Sequence, residues 1–183
     1  MQAVGRDARG ASNTATTRAI GQCAFGAVLA IIRRRVRQDL ERRALPKQKV
    51  LATVVRLLET TFIRVGNHEY AKENESFGLT TMRDRHLRIA GARLLFQFRG
   101  KSGQEYELFQ YVDENGVRRA IDSADVNEYI REIAGEDFTA KDFRTWAGTV
   151  LAVRELCAAG PASSARQGKR TVVNAVKSVA RRL

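Results

Sequence analysis

Apolar residues at 51, 54, 55, 58, 62 and 65 recur at intervals of three and four, which predicts a helix with one stripe turned to a core. It starts at Leu45-Pro46, because proline in a first helical turn forfeits no hydrogen bond. Residues 24–43 read as an earlier helix that ends in the run Arg33-Arg34-Arg35-Val36-Arg37. From Arg85 the period changes to two. Residues 86–89, a turn at 90–92 and residues 93–99 then predict a hairpin with Leu94, Phe96 and Phe98 on one face. A third strand is expected over 104–109. Residues 109–112 and 117–121, about the turn Asp113-Glu114-Asn115-Gly116, form another hairpin or a loop.

The helical period returns at Ser123, which caps a helix whose Val126, Tyr129, Ile130 and Ile133 make the apolar face, and Gly135 ends it. Thr139 with Asp142 three residues on is a variant of the capping box. The helix it opens buries Phe143, Trp146, Ala147, Val150 and Leu151 and stops at Gly160-Pro161. A polar linker over 162–169 leads to a last helix, 171–183, with Val172, Val176, Val179 and Leu183 on one side. Residues 74–81 form a polar turn region, and no internal repeat or low-complexity tract is present. The expected fold class is α+β, mainly α, with a small antiparallel sheet. The domain runs over 23–183, behind a Gly-, Ser- and Thr-rich segment at 1–22 read as a flexible leader or a remnant.

Charge sharpens this picture. The 183 residues carry a net +12, unevenly placed. Residues 1–49 hold eleven Lys or Arg against three acids, and residues 160–183 hold six against none. Basic ends of this kind are the footprint of a polyanion, with nucleic acid the first candidate. Two distant cysteines, Cys23 and Cys157, and two histidines argue against a zinc site or a disulfide framework and for a reducing compartment. No apolar run approaches the roughly 20 residues of a membrane span.

Three cations stand in settings that can hold them still. Arg64 follows the stripe of the second helix, where a cation suits the helix dipole or, alternatively, is aimed at a substrate by Phe62 and Val65. Lys101 lies in the turn Gly100-Lys101-Ser102-Gly103 at the tip of the sheet, ordinary turn chemistry taken alone. The words Gly-Lys-Ser do not make a phosphate loop, since position 95 is Leu and no helix follows. Arg144 occupies the first turn of its helix, the wrong end for a cation, where it and the N-terminal amides can meet one anion. Two arginines, with bidentate reach, and one lysine, with a proton to give, are the equipment for gripping a phosphodiester. Arg33, Arg34 and Arg35 read equally as a solvated face or a DNA-backbone contact.

At these islands the sequence resembles the type IB DNA topoisomerases, in particular the small bacterial and poxvirus-type branch. The words that carry it are Phe62-Ile63-Arg64-Val65-Gly66-Asn67 with Tyr70 and Glu73-Asn74 behind, Phe77-Gly78-Leu79-Thr80-Thr81 with Arg85-His86, Phe98 to Gly103, and Asp137 to Gly148. The resemblance implies a helical topoisomerase IB/tyrosine recombinase-like core. It also implies a reaction in which a tyrosine forms a 3′-phosphotyrosine and reseals the strand without ATP, a metal or another cofactor. Carried over by motif, Arg64 and Arg144 clamp the non-bridging oxygens, Lys101 protonates the 5′-hydroxyl leaving group, and Tyr70 touches DNA near the scissile site.

The family motif continues past the last helix with a Gly, then an Asn or His, then the nucleophilic tyrosine. Tyr70, Tyr106, Tyr111 and Tyr129 all lie outside that motif, so the core is expected to be C-terminally incomplete. The segment after Lys101 also looks shortened, and the family's N-terminal DNA-clamping domain is reduced to a trace at 5–10. Three readings follow: a core that binds duplex DNA but lacks its own nucleophile, a non-catalytic DNA-binding relative that keeps the clamp, and a tyrosine recombinase. The last is disfavoured by Lys141, where a His would be expected. The expected partner is double-stranded DNA, met by a monomer in the cytoplasm at the bacterial nucleoid, with no membrane involved.

Overall fold

A computed structural model describes residues 14–66, 77–83, 86–90, 93–96 and 108–183. The elements are α1 (Thr14–Leu40), α2 (Lys47–Thr61), a 3-10 turn (Leu79–Thr81), β1 (Leu87–Ala90), β2 (Arg93–Phe96), β3 (Gln110–Val112), β4 (Arg118–Ala120), α3 (Ser123–Ala134), α4 (Ala140–Ala159) and α5 (Ala165–Arg182). The chain is mainly helical, as its patterning implies, and among the described residues it has two short antiparallel hairpins.

The core forms where the helical stripes meet. Phe25, Leu29, Ile32 and Val36 of α1 bury against Val50, Leu51, Val54, Val55 and Leu58 of α2 and against Val126 and Ile130 of α3. Burying each such side chain is worth about 1.5–3 kcal/mol. Phe25 is the hub on the α4 side, with ring centroids 5.3 Å from Phe138, 5.0 Å from Phe143 and 6.4 Å from Trp146, all edge-on. Gly26 makes room for this, since a Cβ there would stand 2.5 Å from the Trp146 ring.

Several boundaries depart from the sequence reading. α1 begins at Thr14, so part of the segment read as flexible is helical. The burial of Gln22, one turn before Phe25, shows tertiary packing overriding weak local propensity. The cap of α3 is Asp122 rather than Ser123: its carboxylate accepts from the N–H of Asp125 at 2.9 Å, and Asp125 accepts from the N–H of Asp122 at 3.1 Å. β1 runs one residue later than the 86–89 expected, β2 starts at Arg93 as expected, and the two pair in the register Leu87↔Phe96 to Ala90↔Arg93. The predicted facing of Leu94, Phe96 and Phe98, and most of the strand over 104–109, lie outside the described residues. The alternative of a hairpin or a loop resolves as a hairpin, β3 with β4, register Gln110↔Ala120. α5 starts at Ala165 on a Ser164 cap, six residues earlier than expected.

One polar group lies at the centre of the bundle. Asp39, 1% exposed, accepts hydrogen bonds from Arg35 Nε at 2.8 Å, Arg42 Nε at 2.5 Å and the Tyr129 hydroxyl at 2.8 Å, joining α1 to α3. Burial pushes its carboxyl upward, but the bonds from Arg42, Arg35 and Tyr129 outweigh burial and hold it below the ordinary carboxylate range. Both arginines are half exposed, so solvent screens their share. The main loss on removing Asp39 is the stranded, buried Tyr129 hydroxyl. Asp39→Ala is therefore expected to cost about 2–4 kcal/mol in urea denaturation. A depressed folded pKa gives stability that is complete above the unfolded value and lost as pH falls below about 4. The wild type should show this acid limb, and Asp39→Asn should lack its Asp39 component.

Candidate nucleic-acid interface

The site is built where α2 ends. Thr60 and Thr61 turn their hydroxyls back onto the carbonyls of Arg56 and Leu57, at 2.8 and 2.7 Å, and so add nothing that would propagate the helix. Phe62 then takes a left-handed conformation, φ 59° and ψ 11°, and the chain leaves the helix. The predicted stripe through Phe62 and Val65 is thus broken, and Arg64 is an exposed residue of an extended segment rather than a cation at a helix end. The dipole explanation for Arg64 falls with it.

That extended segment is pinned through its main chain. The N–H of Leu79 donates to Arg64 O at 2.9 Å and that of Thr80 to Val65 O at 2.7 Å, and the Thr80 hydroxyl adds a bond to Val65 O at 2.9 Å. Two glycines allow the approach. Gly66 has φ +98°, and a Cβ on Gly78 would stand 2.4 Å from the Gly66 backbone and 2.6 Å from Arg64 O.

Arg144 comes to the same place from the first turns of α4. Its Nη1 donates to the carbonyl of Phe62 at 2.5 Å, so the strained left-handed residue is also what orients the guanidinium. Arg64 and Arg144 share a cleft of about 490 Å³, walled by Leu58 and Ile63 of the α2 end and edged by Lys141 and Thr145 of α4. Partial burial lowers the Arg144 pKa, and the nearby charge of Arg64 lowers it further. Both effects penalise the cation, and both would be relieved by an anion bound between the two arginines. Two amides of the α4 N-terminus are already engaged: Ala140 N–H donates to Asn127 Oδ1 at 3.0 Å and Asp142 N–H to Thr139 O at 3.0 Å. Those two amides are therefore spoken for, and the guanidinium groups are the main donors to an anion in the cleft.

The α1 arginines stand apart from this cleft. Arg33 Nε pairs with Glu59 at 2.6 Å and Arg35 Nε with Asp39 at 2.8 Å, while Arg34 is exposed on the outer surface. Lys101 and Tyr70 lie outside the described residues. Two features escaped the sequence reading. The Phe62 carbonyl has no sequence signal, because its aim depends on a backbone angle. Lys141 had one: three residues before Arg144, it shares that helix face.

Comparison with known proteins identifies the family. The family described as eukaryotic DNA topoisomerase I, catalytic core, matches residues 22–183. The DNA topoisomerase 1B of Acanthamoeba polyphaga mimivirus is 29% identical over 166 residues, covering 75% of this chain and 49% of that protein. The DNA topoisomerase I of monkeypox virus and the DNA topoisomerase 1B of vaccinia virus (strain Copenhagen) are each 40% identical over 56 residues, 30% of this chain and 18% of theirs. The chain thus spans about half the length of the mimivirus relative and less of the poxvirus ones.

Proposed function

The chain belongs to the DNA topoisomerase I catalytic-core family, and from that premise we propose that it grips one phosphodiester of duplex DNA between Arg64 and Arg144. The parent reaction is the type IB one, transient cleavage and religation of a single strand without ATP. Phosphoryl transfer is mostly positioning and charge stabilisation, so two fixed guanidinium groups on the non-bridging oxygens are its natural equipment. Lys101 is the proton donor to the leaving 5′-hydroxyl in this reading, and Tyr70 a DNA contact. The observation that carries the proposal is the convergence of Arg64 and Arg144, from separate elements, on one cleft whose described lining holds no acid. Both arginines come from one chain, which supports the monomer as the working unit.

The nucleophile is a separate matter, because covalent catalysis requires one in place. Tyr129 donates its hydroxyl to Asp39 within the core, and its pKa is pushed far up by burial and then by that carboxylate. Tyr111 sits on β3 with the Lys47 ammonium 5.8 Å from its ring. Among the described residues, neither tyrosine lines the cleft. Tyr70 and Tyr106 lie outside the described residues, and all four tyrosines lie outside the family's nucleophile motif, so our reading is a chain that binds DNA and does not by itself cut it.

The test is a negatively supercoiled plasmid incubated with the 183-residue chain in EDTA without ATP, beside Arg144→Ala. The expected result is retarded plasmid of unchanged linking number, with retardation weakened in the variant. Relaxation lost in the variant would assign a tyrosine of this chain to the clamp and overturn the binding-only reading. Absence of any DNA binding would overturn the whole proposal.

A further inference from the structure

α5 turns only part of its apolar surface inward. Ala175 and Val179 are buried, and Leu183 lies 3.2 Å from where a Cβ on Gly148 of α4 would stand. Val172, Val173 and Val176, in contrast, are 50%, 50% and 59% exposed. Positions three and four apart are neighbours on a helix, so Val176 adjoins both Val172 and Val173. By the same rule Lys169, Arg170 and Lys177 surround Val173. α5 contains six cations and no acid. Among the described residues, one of the six, Arg182, faces an acid, Glu155 at 3.4 Å.

Three exposed β-branched residues weaken a helix locally and gain nothing from water, so their cluster calls for a partner. Phosphate backbones reward the cations and leave the valines unused. A bilayer favours Trp, Phe and Leu on such a face, and α5 has none within its bounds. A second copy would set one cationic rim against another. What complements the surface is an apolar ridge flanked by carboxylates. We propose that the exposed face of α5, Val172, Val173 and Val176 ringed by Lys169, Arg170 and Lys177, docks an acidic amphipathic helix of a partner protein. The ridge buries on the valines, the lysine stems extend that contact, and the charged rim sets orientation and association rate. This surface is separate from the arginine cleft and does not depend on the DNA reading.

The experiment uses the full chain and a fluorescein-labelled helical peptide of about five turns, with a leucine ridge flanked by glutamates, read by anisotropy at 0.15 M salt. Saturable binding in the micromolar range is expected, weakened at least tenfold by Val173→Ser/Val176→Ser. These side chains are exposed, so the thermal midpoint should not move. Lys169→Glu/Lys177→Glu should shift preference toward the same peptide with lysines in place of its glutamates. Failure of the wild type to bind, or binding indifferent to the valine changes, overturns the proposal. So does a face that ignores the peptide yet loses affinity for a 20-base-pair duplex, or for phosphatidylserine vesicles, when its lysines are reversed.

Discussion

Gly78→Ala is expected to dismantle the arginine cleft while leaving the helical bundle assembled. The new Cβ would lie 2.4 Å from the Gly66 backbone and 2.6 Å from Arg64 O. The neighbours it meets include main chain, which cannot swing aside as a side-chain tip can. The extended segment must shift, breaking the bonds from Leu79 N–H to Arg64 O and from Thr80 N–H to Val65 O. Overpacking costs about 1–3 kcal/mol, and each stranded buried backbone group about 1–3 more. At roughly 2–4 °C per kcal/mol for a chain of this size, the thermal midpoint should fall by about 10 °C. DNA affinity should fall with it, because Arg64 is no longer held. Gly116→Ala is the control: its φ is +76° but the space around it is open, so it should cost about 1 kcal/mol and leave binding intact. A Gly78→Ala protein with wild-type melting and affinity would show that residues 64–66 and 78–81 are not locked together.

Arg144→Ala should separate stability from function. The wild-type guanidinium is disfavoured by burial and by Arg64, and it bonds one carbonyl. Its removal relieves the first two and strands the third, so stability should change by no more than about 1 kcal/mol. Binding should change much more, since a charge-assisted contact to phosphate is worth about 1.5–3 kcal/mol, a loss of roughly 10- to 150-fold in affinity. Anisotropy of a labelled duplex across a salt series adds a second readout. The slope of log affinity against log salt should flatten by about one, the mark of one lost phosphate contact. Arg144→Lys keeps the charge without the fork and should recover part of the affinity and most of the slope. In the complete strand-transfer reaction the same loss of a charge-stabilising donor would cost about 10²–10³ in rate. A variant that loses affinity with an unchanged slope would remove Arg144 from the phosphate.

The cleft was legible in the sequence at the level of residues and not of geometry. Arg64 and Arg144 stand out by their surrounding words, and the α4 stripe of Phe143, Ala147 and Leu151 correctly turns its own face inward. The path into Arg64 was misread because Phe62 and Val65 continue the three-and-four spacing of α2 after the backbone has left the helix. The departure is set by a left-handed Phe62, and hydrophobic period does not register that angle. α5 shows the converse error. Its valines suggest the buried side, yet the helix packs through Ala175 and Val179, with Val172 and Val176 left outside. Gly, Ser and Thr before residue 23 read as coil, whereas α1 already begins at Thr14.

The chain has a single tryptophan, and it lies beside Gly26 and edge-on to Phe25, two residues past Arg144 on the same helix. Its emission is therefore a label-free optical reporter for the molecule. The colour of the indole will register the parting of α1 from α4 during unfolding, and its acrylamide quenching will register any ligand that stiffens the first turns of α4. Titrations and melts can thus be followed on the unmodified protein, in one cuvette, from a single chromophore.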